Sequence, residues 1–178
     1  KMDHPKPTGD YMRLVAGAAK EKARELRFPF PYIVIEPGRS VVAPAGITLY
    51  TVGGIKHIPG VRDYVSVDGG MPDNPRYALY KADYTAVIAN RAGEPATDTV
   101  TIAGRCCESG DIIQPHVELP ADTCRGDILA VCTTGAYNYS MASNYNRLPR
   151  PPIVMLTPEG SYTAVRRETF ADLTALDE

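Results

Sequence analysis

From Gly46 onward the sequence is cut into short strand-like runs, ITLYTV, DYVSV, ALYKADYTAVIA, DTVTIAG, DILAVCT, PIVML and SYTAVRR, each bounded by turn residues. Segments this short, rich in β-branched and aromatic residues, cannot build a helical bundle, and their succession predicts an antiparallel β-barrel or sandwich, with Greek-key connections as the usual solution. Sixteen Pro and fifteen Gly in 178 residues supply the turns such a fold needs.

What precedes Gly46 has a different texture. Tyr11, Leu14, Val15, Ala18 and Leu26 recur at three- and four-residue steps among Lys20, Glu21, Lys22 and Glu25, which predicts one amphipathic helix over about 9–26. Phe28-Pro29-Phe30-Pro31 stops it, because proline cannot donate into the helical ladder and pushes its predecessor toward extended angles. Residues 32–35 (YIVI) are apolar without alternation, the pattern of a strand buried on both faces of a parallel sheet. One helix and one strand cannot stand alone, and an α/β (TIM-like) barrel needs on the order of 200 to 250 residues. The expectation is a mainly β chain in which 1–43 is the last helix and strand of an α/β barrel and 44–178 the C-terminal β-barrel domain. Lys1 in place of an initiating Met agrees with a C-terminal part of a longer protein.

Composition narrows the function classes. With 44% hydrophobic and 22% charged residues, 19 basic against 21 acidic, the chain is neither a disordered tail nor a polybasic nucleic-acid arm. No apolar run reaches the roughly 20 residues of a membrane span, so a cytoplasmic protein is expected. Cys106, Cys107, Cys124 and Cys132 include no C-x-x-C spacing, which predicts reduced thiols rather than a zinc site or disulfide framework. His4, His57 and His116 lie far apart, so no metal is expected.

Four clusters could carry chemistry. Glu36-Pro37-Gly38-Arg39 follows the expected buried strand, where α/β barrels place functional groups after their strands; a solvent-exposed turn is the alternative. Asp68-Gly69-Gly70-Met71 leads to Arg76 and Tyr80, four apart, so one helical turn would direct a cation and a phenol at the same ligand, or serve packing alone. Cys106-Cys107-Glu108-Ser109-Gly110-Asp111 sets thiols beside carboxylates in a polar turn. A thiol there could move protons if its pKa lies near the working pH, although a cysteine serving as a small buried apolar group is the common case. The stretch from Gly135 to Asn146 (GAYNYSMASNYN) is dense in hydroxyls and amides, suited to a phosphate or polar ligand, or to a polar turn region.

Taken in order, these clusters, with Pro149-Arg150-Pro151 and Arg166-Arg167-Glu168-Thr169-Phe170, resemble the C-terminal half of the diaminopimelate decarboxylase family, pyridoxal 5'-phosphate enzymes of the alanine racemase-like fold. The similarity runs from about Ile33 to Leu173. It implies decarboxylation of meso-2,6-diaminopimelate to L-lysine and carbon dioxide by a homodimer whose sites are shared between subunits. It further implies that Glu36, Pro37, Gly38, Arg39 and Tyr137 bind the cofactor, Glu36 facing its ring nitrogen and Arg39 its phosphate or the substrate. Arg39, Arg76, Tyr80, Glu108 and Tyr137 would hold the substrate, and Cys107 would donate the proton that replaces the lost carboxylate. The lysine that carries the cofactor would lie in the barrel half, since Lys1, Lys6, Lys20, Lys22, Lys56 and Lys81 stand in no suitable context; the chain by itself is expected to be inactive. Substrate chemistry points the same way: a second α-amino-acid head needs a cation for its carboxylate and an anion for its ammonium, and Arg76 and Glu108 supply them. The alternatives are a decarboxylase of the same fold acting on carboxynorspermidine or a basic amino acid, and a non-catalytic β-barrel interaction module.

Overall fold

The computed structural model describes residues 5–178, so Lys1 and His4 lie outside the described residues. The chain divides into two units, Lys1–Pro37 and Gly38–Glu178.

The first unit holds helix α1, Thr8–Leu26, closed by Arg27 in the left-handed conformation at its C-cap. Its apolar stripe is present but uncovered, with Tyr11, Leu14, Val15 and Leu26 all about half exposed. The strand expected over 32–35 is not formed. Residues 28–37 form neither helix nor ladder, and Tyr32 and Val34 are largely bare. A strand of the doubly buried kind exists only between neighbours that accept its hydrogen bonds, and no strand pairs with this segment among the described residues.

The second unit is mainly β. Six strands, β1 (Ile47–Ile58), β2 (Arg62–Val67), β3 (Ala86–Ile88), β4 (Asp98–Ala103), β5 (Ile112–Leu119) and β6 (Ile128–Cys132), pair in the order β3-β6-β1-β2-β4-β5. The end strands β3 and β5 approach one another, so the sheet curls almost into a closed barrel. Strand β1 makes this possible by serving two partners. Its first half pairs with β6 and its second with β2, with a bulge between Val52 and Gly54 where it bends. Inward-facing Val52, Val65, Ile102, Ile113, Leu129 and Val131 fill the interior at 1% exposure or less.

Three details depart from the sequence expectation. Strands β2 and β4 pair in parallel, Asp63 with Val100 through Ser66 with Ala103; the connection between them is long enough to return the chain to the same end. The run ALYKADYTAVIA is split into helix α2, Arg76–Tyr80, ended by Lys81 in the left-handed conformation, and the short β3. Strand β5 is read from the sequence only with difficulty, because Pro115 interrupts it. Proline is tolerated here because β5 ends the sheet order and its pairing with β4 is irregular around Gln114.

The sheet unit starts at Gly38, six residues before the expected boundary at 44. The strap 42–46 is bound to this unit, with Gly135 N–H donating to the Ala43 carbonyl at 3.0 Å and Thr134 N–H to that of Gly46 at 2.9 Å. A hairpin, β7 (Ile153–Thr157) and β8 (Gly160–Val165), and helix α3 (Phe170–Leu173) complete the chain. Helix α3 opens on a capping box, in which Thr169 and Asp172 satisfy each other's backbone N–H groups. All four cysteines are free thiols, and among the described residues no helix is long and apolar enough to cross a membrane.

Candidate active site

Helix α2 places Arg76 and Tyr80 one helical turn apart, as their spacing predicts, and stacks the two on each other. The Arg76 guanidinium lies 4.5 Å from the centre of the Tyr80 ring and 5.9 Å from that of Tyr137, held by cation–π attraction. Arg76 is 8% exposed. Its Nη1 donates only to the soft sulfur of Met141 at 3.8 Å, and Nε finds no acceptor. Among the described residues no carboxylate pairs with it. A buried cation without an anion is costly unless a ligand supplies the anion.

Tyr137 is reached by an unusual backbone, φ 62°, in the left-handed region that non-glycine residues avoid. That turn points the phenol toward Gly38. A Cβ added to Gly38, itself at φ 60°, would sit 3.7 Å from the Tyr137 hydroxyl. Between them opens a cavity of about 390 Å³ lined by Gly38, Val42, Gly135, Tyr137, Tyr139 and Ser140. Three hydroxyls and glycine backbone around one hollow are a donor set suited to a phosphate group. Arg39 is half-buried in the 3-10 turn Gly38–Val41 and makes no hydrogen bond or ion pair with Arg76, Glu108 or Tyr137. Glu36 and Pro37 belong to the first unit.

The loop after β4 brings the thiol and the carboxylate. Cys107 and Glu108 are exposed. The Glu108 carboxylate accepts from Gly110 N–H at 3.1 Å, Ser109 Oγ at 3.2 Å and Tyr145 Oη at 3.3 Å. These donors hold it below the ordinary carboxylate pKa, the Gly110 amide contributing most, so it is an anion at neutral pH. Its neighbour Cys106 is pushed up to about 11, by burial first and then by the Asp111 carboxylate. Cys106 therefore stays a thiol, while Cys107 is the one of the pair open to a ligand.

The stretch 135–146 gathers these pieces. Tyr137 and Met141 reach Arg76, Tyr145 reaches Glu108, and Ser143 N–H donates to the Pro72 carbonyl at 2.8 Å. The clusters that sequence reading singled out in the second unit thus meet along one segment, whose own polarity was the signal. Residues that the reading passed over stand behind them. Asp111 is 3% exposed and accepts from both neighbouring loops. Asp73 accepts from the Tyr50 hydroxyl and is raised above its ordinary pKa by burial. Asn138, 3% exposed, accepts from the Tyr84 hydroxyl at 3.5 Å. Asp111 closes the CESGD motif, and that position was the available hint.

Comparison with known proteins points the same way. Residues 32–135 match the family model for the C-terminal sheet domain of pyridoxal-dependent decarboxylases. The chain is 53% identical over 175 residues to the diaminopimelate decarboxylase of Bacillus subtilis, covering 98% of this chain and 40% of that protein. It superimposes on the crystal structure of diaminopimelate decarboxylase from M. jannaschii in complex with L-lysine with a TM-score of 0.88 at 36% identity, over 100% of this chain and 40% of that one. The Helicobacter pylori enzyme, also solved with L-lysine, matches with a TM-score of 0.76 at 30% identity, over 89% of this chain and 38% of that one. The chain therefore spans about two fifths of the length of these relatives.

Proposed function

The chain belongs to the pyridoxal-dependent decarboxylases, as an example of their C-terminal sheet domain, and on that premise we propose that it is part of an enzyme converting meso-2,6-diaminopimelate to L-lysine and carbon dioxide. The observations that carry this reading are the buried Arg76, which no carboxylate neutralises among the described residues, and the exposed, anionic Glu108, whose hydrogen-bond partners are all neutral donors. A substrate whose non-reacting end is itself an α-amino acid offers a carboxylate to the first and an ammonium to the second. The diaminopimelate decarboxylases to which the chain is similar support the same substrate.

The donor set around the 390 Å³ cavity fits pyridoxal 5'-phosphate. Within the sheet unit, Gly38, Arg39 and Tyr137 would hold it, with Arg39 toward phosphate or substrate. When bound, the cofactor supplies an electron-accepting ring for the electron pair released with carbon dioxide. The chain's own residues do the rest. Arg76, fixed between the rings of Tyr80 and Tyr137, anchors the far carboxylate and so sets the distance to the reacting carbon. Glu108 reads the far ammonium and excludes substrates that lack it. Cys107 Sγ, on the same loop, delivers the proton that takes the carboxylate's place. The four free thiols suit a reducing compartment, and we assign the protein to the cytoplasm on that ground.

The test is carbon dioxide release by the full-length enzyme, with L-lysine and L-ornithine competing against meso-diaminopimelate. Strong preference for meso-diaminopimelate supports the assignment; equal turnover of ornithine overturns it, because ornithine has no second amino-acid head. We further assign the enzyme a homodimer in which Cys107 and Glu108 of one subunit complete the site of the other, a use for an exposed polar loop. Mixing inactive full-length Arg39→Ala and Cys107→Ala variants should then restore about a quarter of wild-type activity, since about half the dimers are mixed and each carries one intact site. No recovery after demonstrated subunit exchange would refute the shared site.

A further inference from the structure

Among the described residues, the side chains that hold the Arg76 guanidinium are all neutral, and one of them stands where an anion could have stood. Met141 Sδ lies 3.8 Å from Nη1. A thioether is a weak acceptor that packs against a cation without claiming its charge. Met141 ends the 3-10 turn Tyr139–Met141, and the backbone on both sides of it is tied down. Its own N–H donates to the carbonyl of the buried Asn138 at 3.1 Å, and Ala142 N–H to that of Tyr139 at 3.0 Å. Ser143 N–H donates to the Pro72 carbonyl at 2.8 Å, four residues before Arg76. The segment that carries the sulfur is thus joined to the arm that carries the cation. A carboxylate at position 141 would neutralise Arg76 inside the fold, as Asp127 at 2.7 Å does for Arg91. An amide would take one N–H as a full hydrogen bond. Methionine does neither, and Arg76 Nε stays without an acceptor among the described residues.

We propose that Met141 determines the specificity of the Arg76 site: the weakness of its sulfur as an acceptor keeps the guanidinium open to a ligand carboxylate, so the side chain at 141 decides whether the site prefers ligands that carry one. Met141 acts through Arg76, as a positioning residue, and not on the reacting atoms. The inference rests on the decarboxylase reading above, in which Arg76 takes the far carboxylate, and it involves groups of one chain only. Specificity is a difference of two affinities, so two ligands are needed to read it. L-Lysine, the product, keeps the far carboxylate. Cadaverine has the same carbon chain and both amines and lacks that carboxylate. A side chain that claims the Arg76 charge must weaken the first and spare the second, whereas a disturbed pocket weakens both.

The test uses the full-length holoenzyme as wild type, Met141→Glu and Met141→Gln, with L-lysine and cadaverine as inhibitors of carbon dioxide release from meso-diaminopimelate. Met141→Glu should weaken L-lysine about 30-fold, as for a charge that loses its partner, and leave cadaverine unchanged or tighter. Met141→Gln, nearly the same size but neutral, should weaken L-lysine only roughly 3- to 10-fold, the worth of one hydrogen bond, again with cadaverine unchanged. Equal losses in the two variants, or equal losses of the two inhibitors in either, would make Met141 a packing residue and overturn the proposal. Should Met141→Glu fail to fold, Met141→Gln decides by itself: a selective loss of L-lysine upholds the proposal, and an unaltered ratio of the two inhibition constants overturns it. A wild-type enzyme that both compounds inhibit equally, or that releases no carbon dioxide from meso-diaminopimelate, would instead sink the functional reading and the proposal with it, an outcome told apart because no substitution is involved.

Discussion

Arg76 and Arg91 lie in the same sheet unit and are solved by opposite means. Arg91, ending the 3-10 turn Ala89–Arg91, is held by Glu94 at 2.9 Å, Asp122 at 2.6 Å and Asp127 at 2.7 Å. Asp127 is itself satisfied by Cys124 N–H at 2.9 Å and Asn90 Nδ2 at 3.1 Å, and these donors with Arg91 keep it below the ordinary carboxylate range. Arg76 has two aromatic rings and a sulfur and no carboxylate among the described residues. A cation whose charge is neutralised within the fold is structural. One that is buried with the neutralising anion missing is prepared for an anion that arrives from outside, because the desolvation cost has already been met during folding.

The most direct way to break this contrast is to remove each arginine from the full-length enzyme. Arg76→Ala should raise the KM for meso-diaminopimelate by about 30-fold or more, the equivalent of about 2 kcal/mol at the low end for a charge pair losing one partner, with little change in melting temperature. Arg91→Ala should do the reverse, lowering the melting temperature while KM stays near wild type. Steady-state kinetics and calorimetry on the two variants settle it, and exchanged behaviour would show that exposure and partner count do not separate the roles.

Glu108→Gln sharpens the comparison from the substrate's other charge. Its present partners, Gly110, Ser109 and Tyr145, are all neutral donors, so the carboxylate still has a charge to offer. We expect a several-fold rise in KM with unchanged pyridoxal-phosphate affinity, read by substrate titration and by cofactor fluorescence. Parallel losses in both affinities would move Glu108 to the cofactor.

The smallest effect is expected where a carboxylate is wholly consumed by structure. Glu168 accepts from Arg150 Nε at 2.7 Å, Arg150 N–H at 2.8 Å and Asn144 Nδ2 at 2.6 Å, tying the hairpin region to the 144–150 segment. The Arg150 hydrogen bonds lower its pKa from 4.5 to about 2. A folded-state pKa below the unfolded one stabilises the fold above pH 4.5, and that stability is lost as pH falls from there toward about 2. Urea melts of wild type and Glu168→Gln should therefore differ at pH 6 and converge toward pH 2, with substrate KM at neutral pH unaffected. Curves that stay parallel through the acid range would remove Glu168 from this role.

Order and spacing along the chain carried a good deal of this. The 3.6-residue recurrence of Tyr11, Leu14, Val15 and Leu26 is a helix in the structure, and the Arg76–Tyr80 step is a helical turn that stacks its two side chains, since both relations lie within one hydrogen-bonded turn. The failure at 32–35 has the complementary cause: YIVI has the residues of a strand, but a strand is a relation between segments. The groups of the proposed site, a cation, a carboxylate, a thiol and a hydroxyl-rich stretch, were also legible as residue types in fixed order. Which of them meet was decided by the barrel. Its bulged β1, the parallel β2–β4 pairing and the cleared glycines at 70 and 104 bring Asp111 between two loops some 35 to 40 positions apart and leave Arg76 without an anion among the described residues. No local pattern encodes those facts, because burial and the absence of a partner depend on every segment that packs nearby and not on the residues adjacent in sequence.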